Sequence, residues 1–139
     1  MGHRILIVDD DPGLREMMAM ALAEEGFDTD LAGNGEDALE RARARPPCVI
    51  VLDMMMPVMD GWMFRAHQRY DPILSSIPVV ILTAVPVARL KRVGAAAALQ
   101  KPFDHQLFIS TVHAHCWPSF SSRENCRSCG TDAARAPER

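Results

Sequence analysis

Three short runs of Ile, Leu and Val constrain the fold of this chain more than any other feature. The runs are Ile5–Val8, Val49–Leu52 and Val79–Leu82, and every position in each of them is apolar. Strands without polar alternation are typical of a parallel sheet whose two faces are both covered by helices. Parallel neighbours need crossover connections, and the segments between the runs have the apolar spacing of helices.

The rest of the pattern predicts a doubly wound α/β fold with a five-stranded parallel sheet. A second strand is predicted over Asp28–Ala32 and a weak fifth strand over Ala96–Leu99. Residues 1–116 are expected to form the domain, and 117–139, which have no periodicity, a flexible C-terminal tail. The predicted helices start at Pro12, after Asn34, at Asp60, after Pro86 and at about Asp104, and end by Gly26, Pro46, Tyr70, Val93 and Cys116.

Composition excludes several classes of protein. A chain of 139 residues with 48% hydrophobic and 24% charged residues fits one globular domain. No apolar run is long enough to span a membrane, and no signal peptide is apparent, so a cytoplasmic location is expected. The net charge of -3 comes without a basic face, which argues against nucleic-acid binding by this chain. Four cysteines are too few and too uneven for a disulfide scaffold.

Polar residues follow the predicted strands at the edge where a parallel sheet binds its ligands. Asp9 and Asp10 follow the first strand, Asp53 the third, Thr83 the fourth and Lys101 the fifth. Because ligands of open parallel sheets bind beyond the carboxyl ends of the strands, these side chains should form one site. Each of them alone would more often be a helix cap or a solvated surface residue, but their agreement at four strand ends favours a site.

The charges at this edge predict a hard divalent cation. Three carboxylates about 5 Å apart repel one another by roughly 3 kcal/mol per pair, so they need cations nearby. One Mg²⁺ together with the ammonium of Lys101, one of two lysines in the chain, would neutralise them. Such a cluster suits attack on a phosphoryl group, with Asp53 as the nucleophile. Asp9 and Asp10 would then hold the metal, and Thr83 and Lys101 would contact the phosphoryl oxygens.

These residues resemble the receiver domain of two-component response regulators. The resemblance rests on the stretches Ile5–Asp11, Val51–Gly61, Ile81–Ala84 and Lys101–Phe103. It implies a flavodoxin-like sheet of order 2-1-3-4-5, with Mg²⁺ bound by Asp10, Asp53 and the Met55 carbonyl, and Asp9 assisting.

The resemblance also implies how such a chain would signal. Asp53 would accept a phosphoryl group from a sensor histidine kinase or a phosphotransfer protein, and Thr83 and Lys101 would read it. A downstream protein target would then recognise the phosphorylated state by protein contact. The chain would catalyse only its own phosphorylation and dephosphorylation, so it is not expected to be an enzyme.

Two departures from the family pattern leave alternatives open. Ala98 stands where the family usually has an aromatic residue, three positions before the lysine. Thr83 and Lys101 are 18 residues apart, which implies a shortened fourth helix. A receiver-like binding module that acts without phosphorylation is therefore an alternative. A phosphatase or phosphotransferase with an aspartyl nucleophile is a third, less favoured because Pro12-Gly13 follow the acids and no substrate-cap segment exists.

Three further features give weaker predictions. Apolar Met55 and Val85 would flank the path of hydrolytic water, which predicts slow self-dephosphorylation. Most of the Met-rich segment from Met54 to Phe64 is expected in the core, with Met63 or Phe64 favoured and the loop methionines left open. A zinc shell could in principle be drawn from a set near the C-terminal end, which comprises His113, His115, Cys116, Cys126 and Cys129.

Overall fold

The computed structural model describes residues 3–56, 58–84, 86 and 95–116. They form a central sheet with helices on both faces. The strands are β1 (Arg4–Val8), β2 (Asp28–Ala32), β3 (Val49–Asp53), β4 (Val79–Thr83) and β5 (Ala97–Gln100). The helices are α1 (Pro12–Glu24), α2 (Gly35–Ala44), α3 (Gly61–Arg69) and α4 (His105–Cys116).

All strand pairs are parallel, and the sheet order is β2-β1-β3-β4-β5, as predicted. The register decides which side chains meet at the carboxyl edge. Val8 is level with Leu52, so the residues that follow β1 lie beside the end of β3. Asp53 pairs with Leu82, and Thr83 pairs with Gln100. The last residues of β3, β4 and β5 therefore lie in adjacent rows at one edge.

The alternating side chains of each strand supply two separate cores. Ile5, Ile7, Val49 and Val51 pack on one face with residues of α1 and α4. Leu6, Val8, Ile50 and Leu52 pack on the other face with residues of α2 and α3. Because both faces are buried, the central strands tolerate no polar side chain before their carboxyl ends, which explains their uninterrupted apolar sequence. The polar residues are thereby confined to the edges of the sheet.

Acidic and amide side chains begin the helices. Asp11 accepts hydrogen bonds from the backbone N–H groups of Gly13 and Leu14 and caps α1, which starts at Pro12. Asn34 caps α2 and Asp60 caps α3 in the same way. These caps satisfy backbone donors that no helical carbonyl can reach. The third acid of the Asp9–Asp11 run is thus a cap, as its position before Pro12 allows.

The expectation that most of the Met-rich segment lies in the core is wrong, although one of its two favoured residues is buried. Phe64 is fully buried, but Met63 on the neighbouring position of α3 is 48% exposed. Met54 is buried, whereas Met55 and Trp62 are exposed. The helix turns by about 100° per residue, so only one of two adjacent positions faces the core.

Some predictions concern residues that the structure does not describe. The short helix expected between Pro86 and Val93 and the tail at 117–139 lie outside the described residues, as does Val85. Across the described parts of the chain, no helix has the length and apolar character required to cross a membrane.

Candidate functional site

Three carboxylates meet at the carboxyl ends of β1 and β3. Asp9, Asp10 and Asp53 each contribute an oxygen, and these oxygens lie within 4.8 Å of one another. Asp9 is completely buried and Asp53 is 4% exposed, whereas Asp10 is exposed to solvent. These three residues, which the sequence predicts to form one site, lie together because the two strands are neighbours and their ends are level.

Lys101 supplies the cation that these carboxylates need. Its Nζ lies 3.2 Å from Asp9 Oδ2 and 3.5 Å from Asp53 Oδ1. The lysine follows β5, and its backbone N–H donates to the carbonyl of Thr83 on β4 at 2.6 Å. This backbone hydrogen bond fixes Lys101 beside the end of β4, and from there its side chain reaches Asp53 at the end of β3. One ammonium thus bridges two buried carboxylates and leaves a net negative charge at the site.

The environment of Asp53 makes its carboxylate costly to ionise. Burial, and then the negative charge of Asp9, raise the pKa of Asp53 from 3.8 to about 6. The backbone N–H of Met55 donates to Asp53 Oδ1 at 3.2 Å and opposes this rise, as does the charge of Lys101. The ionised carboxylate of Asp53 is therefore stabilised when a further cation binds next to it or when a covalent bond removes its charge.

The loop between β3 and α3 is held close to the site by two glycines. A Cβ on Gly61 would lie 2.7 Å from the Cα of Met54, and a Cβ on Gly35 would lie 2.8 Å from the carbonyl oxygen of Met59. The N–H groups of the same glycines donate to the carbonyls of Met54 and Met59, both at 3.1 Å. Only glycine allows these close approaches, so both ends of the loop are fixed.

Thr83 and its neighbours lie at the same edge, one strand beyond Asp53. Thr83 is buried at the end of β4, and the next residue, Ala84, is exposed. Ala98 lies on β5 opposite Ile81 and is partly buried against the core on the α2 and α3 face. The structure therefore places Asp9, Asp10, Asp53, Thr83 and Lys101 at adjacent strand ends, with Met55 on the connecting loop.

Sequence reasoning missed the support of Asp9. Arg15 on α1 donates from Nη1 to the carbonyl of Asp9 at 2.7 Å, and the N–H of Asp11 donates to Asp9 Oδ1 at 2.9 Å. Arginine on a helix surface is common, so its identity alone carries no signal. Its position one turn after the Asp11 cap could have suggested it, since that spacing returns the side chain towards the β1 end.

The donor set fits Mg²⁺. Hard divalent cations of this size prefer carboxylate and carbonyl oxygens and keep several waters. Asp10 and Asp53 offer carboxylate oxygens, and exposed Asp10 leaves one side open to water. The negative charge that Lys101 leaves uncompensated would be neutralised by such an ion. No His or Cys of the described residues takes part in this cluster, so the set does not favour zinc.

Comparison with known proteins agrees with this geometry. The family model described as the response regulator receiver domain matches residues 5–113. The chain belongs to this receiver domain family. The DNA-binding response regulator MtrA of Mycolicibacterium smegmatis is 40% identical over 118 residues, which cover 82% of this chain and 50% of that protein. The response regulator Rre1 of Synechocystis is 39% identical over 105 residues, covering 72% and 46%.

Solved structures show the same fold as this receiver domain. The chemotaxis response regulator CheY4 of Vibrio cholerae has a TM-score of 0.77 and 29% identity, covering 83% of this chain and 99% of that one. The receiver domain of Francisella response regulator 1452 has a TM-score of 0.77 and 30% identity, covering 83% and 97%. The chain spans about half the length of the curated relatives but nearly all of these solved chains.

Proposed function

We propose that this receiver domain accepts a phosphoryl group on Asp53 in a Mg²⁺-dependent reaction and signals by protein contact. The observation that carries the proposal is the ammonium of Lys101 between the buried carboxylates of Asp9 and Asp53. The donor would be a phosphohistidine on a sensor histidine kinase or a phosphotransfer protein, as the family implies. The remaining partner would be a downstream protein target.

The reaction is the transfer of a phosphoryl group from the histidine of the donor protein to Asp53. An oxygen of Asp53 forms a bond to phosphorus while the P–N bond of the donor breaks, and the imidazole leaves with a proton. Lys101 already lies against Asp53 and would pair with an oxygen of the incoming phosphoryl group. The hydroxyl of Thr83 would approach the same group from the neighbouring strand. Bound Mg²⁺ would compensate the charge shared between the carboxylates and the phosphoryl oxygens.

Burial of Asp53 favours this role. The group is almost shielded from solvent, and its ionised form is disfavoured by burial and by Asp9. Transfer to phosphorus moves the negative charge outwards from the carboxylate to the phosphoryl oxygens, where Lys101 and a bound Mg²⁺ would compensate it. We therefore propose a chain that modifies only itself and does not turn over external substrates.

Intact mass spectrometry tests the proposal directly. The full chain would be incubated with Mg²⁺ and a small phosphodonor such as phosphoramidate. We expect one phosphoryl adduct on the wild type, removed by hydroxylamine, and none on Asp53→Asn or in the presence of a chelator. Asp60→Asn makes the same change of charge at the α3 cap and should keep the adduct. An adduct that persists on Asp53→Asn would contradict the assignment of the acceptor.

A receiver-like module that acts without phosphorylation is the second candidate, and Ala98 favours it. The small side chain on β5 replaces the aromatic group with which receivers usually couple the hydroxyl of the preceding strand to the surface. No adduct on the wild type, despite a folded chain that binds Mg²⁺, would select this candidate. Turnover of unrelated phosphoesters would instead select a phosphatase.

DNA contact by these residues is not part of the proposal. The MtrA relatives are described as DNA-binding, but this chain matches only about half of their length. Its net charge of -3 opposes attraction to phosphates.

A further inference from the structure

A second cluster of ligand-type side chains lies at the opposite, amino edge of the sheet. His3 directly precedes β1, Cys48 directly precedes β3, and Cys116 ends α4. One ligand atom from each, the imidazole nitrogen and two sulfurs, lies within 4.8 Å of the others. The strands are five residues long, so this cluster is roughly 16–20 Å from the carboxylates of the receiver site.

The contacts within the cluster are direct. The Nδ1 atom of His3 contacts the Sγ atom of Cys116, and the two sulfurs of Cys48 and Cys116 are 3.5 Å apart. Neither cysteine is in a disulfide. Four ligands arranged tetrahedrally around Zn²⁺ are separated by about 3.5–3.8 Å, given Zn–S and Zn–N bonds of about 2.3 Å and 2.0 Å. The two sulfurs have the separation of neighbouring ligands in a zinc shell, whereas His3 Nδ1 lies closer to Cys116 Sγ than such a shell allows, so the imidazole must shift outward when an ion binds.

The backbone holds two of the three residues in place. The carbonyl of His3 accepts from the N–H of Asp28, and the N–H of Cys48 donates to the carbonyl of Arg4, both at 2.9 Å. Cys116 is fully buried at the end of α4 and belongs to the apolar core on that face. The ligand atoms therefore come from three distant segments, each fixed by its own element, rather than from one adaptable loop.

We propose that His3, Cys48 and Cys116 form a zinc-binding site. Two thiolates and an imidazole are soft or intermediate ligands, which suit Zn²⁺ and do not suit Mg²⁺. His3 and Cys116 are buried, but Cys48 is partly exposed and offers a path for the ion. Zn²⁺ replaces the thiol protons, so binding releases up to two protons, and a water or an added thiol completes the fourth position.

The site differs from the zinc set that the sequence suggested. His113 contacts Glu25 and packs with its ring tilted against that of Phe27, and the ring of His115 hydrogen-bonds to the carbonyl of Thr111 in its own helix. Cys116 is the one described member of that set that lies in the new cluster. Cys126 and Cys129 lie outside the described residues.

Titration with Co²⁺ tests the proposal, because thiolate ligands give this ion charge-transfer absorption that carboxylates do not. The full, reduced chain would be saturated with Mg²⁺ first. We expect one equivalent of Co²⁺ to bind with these bands and to be displaced by Zn²⁺. Cys48→Ala should weaken binding by more than the roughly 10- to 100-fold that loss of a supporting hydrogen bond costs. Circular dichroism would verify that the variant is folded.

A matched control tests whether the metal is bound by Cys48 and Cys116 or by Cys126 and Cys129. The double variant Cys126→Ala/Cys129→Ala should keep the charge-transfer bands and their stoichiometry, whereas His3→Ala should lose affinity as Cys48→Ala does. The proposal is overturned if the wild type shows no such bands. It is also overturned if the double variant abolishes them while Cys48→Ala keeps them.

Discussion

The two edges of the sheet carry opposite kinds of chemistry. At the carboxyl edge, the ammonium of Lys101 contacts Asp9 and Asp53, and the oxygens of these two residues and of Asp10 suit a hard ion that keeps its water. At the amino edge, His3, Cys48 and Cys116 offer nitrogen and sulfur beside an apolar core. Strands β1 and β3 connect the two clusters, and the end of α4 adds Cys116 at the amino edge.

The difference between the edges shows how a parallel sheet distributes function. Every strand leaves the sheet at the carboxyl edge into a connection, so several polar side chains can gather there without disturbing the core. At the amino edge, two strand starts meet the end of a helix that packs on one face only. That arrangement gathers fewer and more buried groups, which suits a stabilising metal better than a reaction centre.

Removal of the ammonium should have the largest effect at the carboxyl edge. We expect Lys101→Ala to slow formation of the acyl phosphate by about 100-fold or more, the cost typical of losing one preorganised charge partner. Lys91→Ala, at the other lysine of the chain, should not change this rate. The measurement is adduct formation over time by intact mass. Equal slowing by both variants would show that net charge matters rather than the position of Lys101.

The free energy of unfolding should depend on pH through Asp53. Its pKa is raised to about 6 in the folded, metal-free chain, so the folded state holds the proton more tightly than the unfolded state. Proton binding to Asp53 therefore adds to the free energy of unfolding in full below about pH 4. This addition is lost as the pH rises through about 6, and the free energy of unfolding falls by about 2–3 kcal/mol.

Asp53→Asn removes this titration and tests its sign. In a chelator at pH 7.5, we expect the variant to be about 2 kcal/mol more stable than the wild type, with the difference vanishing near pH 4. Urea unfolding at several pH values measures it, with Asp60→Asn as the matched control. A variant that is less stable than the wild type at pH 7.5 would argue that burial of Asp53 is not the dominant cost.

Substitution of Asp10 should lower the affinity for Mg²⁺, whereas substitution of its neighbour Asp11 should not. Asp10→Asn removes a metal ligand and should weaken Mg²⁺ binding by about tenfold, equivalent to about 1.4 kcal/mol. Asp11→Asn changes the charge equally but keeps a side chain that caps α1 well. Titration calorimetry would compare the two, and Co²⁺ binding at the amino edge should be the same in both. Equal weakening would indicate a general electrostatic effect in place of direct coordination.

The smallest expected effect concerns hydrolysis of the acyl phosphate. Met55 follows Asp53 by two positions, and its side chain is exposed and apolar. We expect Met55→Asn to shorten the lifetime of the phosphorylated state by a few-fold, because an amide can orient a water that a thioether cannot. Met63→Asn, on the exposed side of α3, is the control. A longer lifetime for Met55→Asn would refute the prediction.

Much of the carboxyl edge could be predicted from the sequence because its signals are local. An apolar run buried on both faces must end at its first charged residue, which placed Asp9 and Asp53 at strand ends. The polar Thr83 and the charged Lys101 marked the ends of β4 and β5. The sequence could not show that Asp11 turns away to cap α1 while Asp10 stays with the carboxylates, since that choice depends on the backbone at the start of the helix.

The amino edge was not predictable, and the reason is the distance between its members along the chain. His3 and Cys48 look like ordinary residues before two strands, and Cys116 attracted attention only beside the histidines of its own helix. The rotation of α3, which buries Phe64 and exposes Met63, was equally unpredictable, because it depends on how the helix packs against the sheet.

The sequence alone determined the parallel sheet, its flanking helices and the acidic carboxyl edge. The periodicity of apolar residues and the polar residues at strand ends are both local features that neighbouring residues define. The tertiary structure decided which of these side chains touch: the ammonium of Lys101 on Asp9 and Asp53, and the imidazole of His3 on Cys116. Contacts of this kind join residues far apart in the chain, and only the packing of helices on the sheet fixes their distances.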